Sequence, residues 1–187
     1  MSPLEIAAFL TGVVYVVLAV RENPWCWPIG IVSVALSVVL FFEAKLYADM
    51  GLNAVYVAVS FYGWYHWLHG GEDDGALRVT RTPRPWVLAA AGVVMAVVLG
   101  LFLALRTDAS LPFWDSSTTS GSLVAQWMQT KKWLENWHVW IVVDAVYVGM
   151  YVYKSLYLMA GLYAVYLVLA VFGAREWASS LRAAGAA

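Results

Sequence analysis

The chain has 187 residues, 63% of them hydrophobic and 12% charged, with a mean hydropathy of +0.71. A soluble domain of this length has an apolar share of about half, so composition excludes one and points to a membrane. A net charge of −1 without a long basic run argues against nucleic acid, and Cys26, the one cysteine, excludes an intramolecular disulfide or a cysteine-built metal site.

Met1-Ser2-Pro3-Leu4-Glu5 lacks a basic leader region and reads as a mature start. Residues 4–20 form a first apolar run, close to the roughly 20 helical residues that a membrane core requires. Residues 25–42 form the second span, with Pro28 in its first turn and Lys45 beyond its end. The third, residues 46–68, carries Asp49, Asn53, Tyr56, Ser60 and Trp64 on one helical face. A solvated linker follows, holding Glu72, Asp73, Asp74, Arg78, Arg81 and Arg84. The fourth span, residues 86–105, has no polar stripe and suits a connector. The fifth, residues 116–130, opens on serines and threonines, and its Ser122, Gln126 and Gln129 share a face.

The sixth span begins at Glu135-Asn136 and sets Trp133, Trp137, Trp140, Asp144, Tyr147 and Tyr151 on one stripe. Valines and Ile141 cover its other faces, so the stripe looks inward. A carboxylate at mid-membrane costs roughly 2.5 to 3.5 kcal/mol on insertion scales, a cost that a binding site explains. Residues 156–172 form the seventh span, before Arg175 and an Ala-rich tail.

An internal repeat relates spans one to three to spans five to seven. Glu22, Asn23 and Trp27 match Glu135, Asn136 and Trp140 at an offset of about 113; Leu46, Gly51, Tyr56, Gly63 and Trp67 match Leu156, Gly161, Tyr166, Gly173 and Trp177 at about 110. A three-residue indel would reconcile the two. The expected fold is an all-α membrane protein of seven transmembrane helices, as two parallel three-helix repeats joined by a linker helix. Its divisions are residues 1–69, 70–106, 107–178 and a tail, 179–187. Counting Lys and Arg by side puts the C-terminus in the cytoplasm and the N-terminus outside.

Trp27-Pro28-Ile29-Gly30-Ile31, Leu46-Tyr47-Ala48-Asp49, Tyr62-Gly63-Trp64-Tyr65-His66-Trp67 and Glu135-Asn136-Trp137-His138-Val139-Trp140 resemble motifs of the PnuC-type vitamin transporters. The likeness runs from Val14 to Trp177. It implies a SWEET-like three-plus-one-plus-three fold, a homotrimer in a bacterial inner membrane, and facilitated diffusion of nicotinamide riboside trapped by a cytoplasmic kinase. Asn53 departs from the glutamine expected of the family. Thiamine and riboflavin importers belong to the same family and remain the alternative.

Nicotinamide riboside has a flat cationic ring, which aromatic faces attract by about 0.5 to 2 kcal/mol per contact. Trp137, Trp140, Trp64 and Tyr147 are candidate walls; Gln126, Asn53, Asp144 and Thr118 are candidate hydrogen-bond partners for its carboxamide and hydroxyls. Asp49 suits a helix cap or gate, and Glu135-Asn136 a helix cap. His66, His69 and His138 lack metal spacing, so no metal and no cofactor is expected. An intramembrane enzyme would need an acid-base pair or activated nucleophile that no motif supplies. A scaffold would not explain three polar inner faces.

Overall fold

The structure, a computed structural model, describes residues 3–43, 47–71, 75–107 and 111–185. Lys45, Glu72, Asp73 and Asp74 lie outside the described residues, as does the side chain of Asp49. Seven helices form among them: α1 (Pro3–Val20), α2 (Cys26–Glu43), α3 (Tyr47–His69), α4 (Pro85–Arg106), α5 (Pro112–Thr130), α6 (Asn136–Tyr153) and α7 (Tyr157–Gly185). Pro85 and Pro112 open α4 and α5, where a missing amide donor does least harm. The helix α5 therefore starts four residues before Ser116. Several of its hydroxyls bond carbonyls within the helix: Ser117 donates to the Phe113 carbonyl at 2.6 Å and Thr118 to the Trp114 carbonyl at 3.1 Å. The last helix continues through residues 179–185, a stretch that the sequence reading leaves to a tail.

Six helices close a ring. Helix α1 packs on α2, α2 on α3, α3 on α5, α5 on α6, α6 on α7, and α7 returns to α1. Helix α4 stands outside against α5; its buried residue is Gly100, while Val93, Val98 and Leu105 are widely exposed. Helix α4 and residues 159–184 of α7 are each long and apolar enough to cross a membrane.

Contacts recur at a constant offset of 110 residues. The Trp67 indole donates to the Gln129 carbonyl at 2.9 Å, and the Trp177 indole to the Ala19 carbonyl at 3.1 Å. Trp27 meets Trp67 edge-on at 5.4 Å, as Trp137 meets Trp177 at 5.4 Å. A Cβ on Gly63 would lie 2.5 Å from the Trp27 ring, and one on Gly173 2.5 Å from the Trp137 ring. Only glycine lets either indole lie on the neighbouring helix. Trp27 therefore corresponds to Trp137, not Trp140, and the indel is unnecessary. These four tryptophans are almost fully buried, and such edge-on pairs contribute about 0.5 to 1.5 kcal/mol each beyond area burial.

The same offset pairs Glu22 with Lys132, both held at φ 55°, a left-handed conformation that costs roughly 1 to 2 kcal/mol in a non-glycine residue. The strain is offset by an ion pair between them at 2.9 Å. Lys132 also donates to the Leu77 carbonyl at 2.9 Å and lies 4.8 Å from the Trp67 ring centre.

Residues 77–82 strap the helix ends on this side. The Leu77 amide donates to the Trp67 carbonyl, the Thr80 amide to Lys132, and the Leu134 amide to Thr80. Val79 is buried beneath, in the cluster with Leu134 and the tryptophans. Glu135 precedes α6 but makes no side-chain cap. Its carboxylate instead accepts the Thr82 amide at 2.8 Å and hydroxyl at 2.7 Å, with Arg81 at 3.6 Å. The expected cap is thus a strap anchor.

Burial pushes the Glu135 pKa up, but the Thr82 bonds, assisted by Arg81, outweigh it and hold the carboxyl below its usual range. A depressed folded pKa contributes stability that is present above the unfolded value and lost as pH falls through the folded one. Hydrogen exchange of the Thr82 amide, corrected for intrinsic rate, is expected to stay protected through the usual glutamate range and to lose protection only as pH falls through the lowered carboxyl pKa. Protection that persists in Glu135→Ala at neutral pH would assign the anchor elsewhere.

Candidate functional site

The ring encloses a cavity of about 430 Å³ to which all six helices contribute. Helix α1 presents Tyr15, α3 Asn53, Tyr56 and Ser60, and α5 Ser122, Gln126 and Gln129. Helix α6 presents Trp137, Trp140, Asp144 and Tyr147, and α7 Tyr163 and Tyr166. The helical stripe of α6 accounts for its share, since steps of three and four keep those side chains on one inward face.

Six of the eight candidate residues line this cavity: Trp137, Trp140, Asp144, Tyr147, Gln126 and Asn53. Trp64 does not. It packs against the tryptophan cluster one turn beyond Ser60, so its face is right and its depth is wrong. Thr118 does not line the cavity either; it is buried behind Tyr147 and within hydrogen-bonding reach of it. Trp137 is 2% exposed and forms floor more than wall. Its indole N–H has no partner among the described residues.

Chemistry is unevenly divided around the ring. At the offset of 110, Asp144 corresponds to Val34, Tyr147 to Ser37 and Trp140 to Gly30. Asp144 is 5% exposed and accepts no hydrogen bond from the described residues. A buried carboxylate in that condition is available to a ligand's hydroxyls or positive charge. Above it Tyr147, Tyr151, Tyr163 and Tyr166 form a connected group, with Tyr147 and Tyr163 ring centres 4.4 Å apart.

A chain of side-chain bonds runs along one wall. Trp140 Nε1 donates to Gln129 Oε1 at 3.2 Å, Gln129 Nε2 to the Tyr15 hydroxyl at 2.9 Å, and that hydroxyl to Gln126 Oε1 at 3.4 Å. Tyr15 and Gln129 are absent from the sequence-derived candidates. Gln129 has a sequence signal, since it shares the Ser122 and Gln126 face; Tyr15 has a slighter one, standing one turn after Thr11 in a largely apolar helix.

A helical ring with an apolar exterior and a central cavity lined by tyrosines, amides, tryptophans and one carboxylate defines a membrane protein that handles a small polar solute. The nicotinamide mononucleotide transporter family matches residues 2–179, and the chain belongs to that family. It is 27% identical to the nicotinamide riboside transporter PnuC of Escherichia coli (strain K12), over 99% of this chain and 89% of the relative. It is 31% identical to the riboflavin/roseoflavin transporter RibM of Streptomyces davaonensis, over 90% and 81%. A crystal structure of the vitamin B3 transporter PnuC superimposes with a TM-score of 0.75 at 27% identity, covering 96% of this chain and 82% of that one. The protein is a membrane transporter, not an enzyme.

Proposed function

We propose that this protein imports nicotinamide riboside by facilitated diffusion across a bacterial inner membrane, with phosphorylation by a cytoplasmic kinase trapping the product. The observation that carries the reading is a cavity in which the uncompensated Asp144 carboxylate and the Trp140 ring stand together. A permanent cation is attracted by both. The riboflavin carrier among the relatives supports a second reading, but a neutral flavin ring lacks the positive charge that both Asp144 and Trp140 attract.

In this reading Trp140, Trp137 and Tyr147 form aromatic walls and floor, and Gln126, Asn53 and Asp144 bind polar groups. Trp64 and Thr118 act from behind the cavity. The recurring contacts support two parallel three-helix units, α1–α3 and α5–α7, joined by α4. Rocking of these units around the fixed site would provide alternating access. The strapped side faces the cytoplasm, as the Lys and Arg balance favours, and the protein assembles as a homotrimer.

Liposomes containing the purified protein should take up labelled nicotinamide riboside down its gradient with Na⁺ and H⁺ equal on both sides. Failure under that condition alone removes the uniport mechanism. Uptake of riboflavin without nicotinamide riboside replaces the substrate.

A further inference from the structure

An indole N–H can only donate, whereas an amide side chain can be turned either way. Trp140 therefore fixes the direction of the wall's hydrogen bonds. Because Gln129 Oε1 receives the indole at 3.2 Å, Gln129 Nε2 is the end that donates to the Tyr15 hydroxyl at 2.9 Å. The Tyr15 oxygen, already accepting, directs its own proton to Gln126 Oε1 at 3.4 Å. The acceptor end of Gln126 is thereby engaged, and what this cavity-lining side chain has left is its Nε2 donor pair.

We infer that Tyr15 and Gln129 are positioning residues that set Gln126 as a hydrogen-bond donor, so that the site selects a ligand carrying a carbonyl acceptor. This inference rests on the proposed substrate, in which that acceptor is the carboxamide oxygen of the pyridinium ring. A ligand presenting only donors there would leave two N–H groups facing another donor, and a site built for one polarity rejects the other. The neighbouring Asp144 attracts any cationic ring equally, so charge supplies affinity and the polarised amide supplies discrimination.

The test compares calorimetric affinities of the purified full-length protein for the riboside of 3-acetylpyridinium and for the riboside of unsubstituted pyridinium. The two share charge and ribose and differ in one carbonyl acceptor; an acetyl group, unlike a carboxamide, has no N–H to offer if Gln126 turns over. The parent should prefer the acetyl ligand by about tenfold or more, the scale of one buried polar group left unpaired. Tyr15→Phe releases Gln126 to rotate, and the preference should shrink to about threefold or less. Gln129→Glu offers oxygens to both Trp140 and Tyr15. The Tyr15 oxygen then accepts from Gln126 Nε2, which turns the Gln126 carbonyl into the cavity. The preference should fall below that of Tyr15→Phe, and the added negative charge leaves the ratio unmoved because both ligands are cations. A parental ratio retained in either variant overturns the inference. A parent that binds neither ligand overturns the proposed substrate itself.

Discussion

Asp144→Asn is expected to weaken nicotinamide riboside binding by roughly tenfold to a hundredfold, while the protein keeps its fold and its elution as a single species. The substitution preserves shape and one acceptor but removes the charge, and hydrogen bonds to charged groups contribute about 1.5 to 3 kcal/mol. Asp144 is almost fully enclosed, so the loss is not diluted by solvent. Trp140→Leu should cost less, about 0.5 to 2 kcal/mol, by removing the ring face that attracts the cation. Trp140→Phe keeps a ring and should fall between parent and leucine. Calorimetry on the three variants decides the matter: parental affinity in Asp144→Asn would reduce that carboxylate to a helix brace and remove it from the site.

Glu22→Gln is expected to destabilise the protein by about 3 kcal/mol, the lower end for breaking a buried ion pair by removing one partner. Lys132 is 8% exposed in its side chain and Glu22 23%, so the stranded ammonium cannot reach much water. The Leu77 carbonyl and the Trp67 ring remain to it, which keeps the effect from being larger. The double substitution Glu22→Gln with Lys132→Met should recover most of the loss, because it removes the stranded charge as well. Chemical denaturation of the four proteins measures the coupling. If the two single effects simply add, the pair carries no interaction energy.

Helix positions were readable from sequence because each span is long and apolar and ends on charges or proline. The inward stripe of α6 was readable because its polar residues recur at helical pitch. Trp64 shows what pitch omits: it reports face, whereas depth depends on where the tryptophan layer closes the cavity. Tyr15 shows a second gap, since Thr11 and Tyr15 alone are too short a run to mark a polar stripe, and the partners of Tyr15 lie 111 and 114 residues away in the chain. The start of α5 was misplaced because serines and threonines read as loop-forming, while in the fold the hydroxyls of Ser116, Ser117 and Thr118 bond carbonyls one turn back. The offset of 113 came from matching identities, Glu-Asn with Glu-Asn. The backbone matches Glu22 with Lys132, residues whose similarity lies in conformation and whose chemistry is opposite.

In the proposed arrangement of two three-helix units, that opposition also bears on which unit can dock with which while the chain is folding in a crowded bilayer. Two first units brought together would set Glu22 against Glu22, and two second units Lys132 against Lys132, each at a junction with little access to water. Like charges so placed repel, and such repulsion rejects wrong partners just as attraction selects right ones. One unit of each kind closes the ring with the charges satisfied, so the ion pair discourages two like units from pairing.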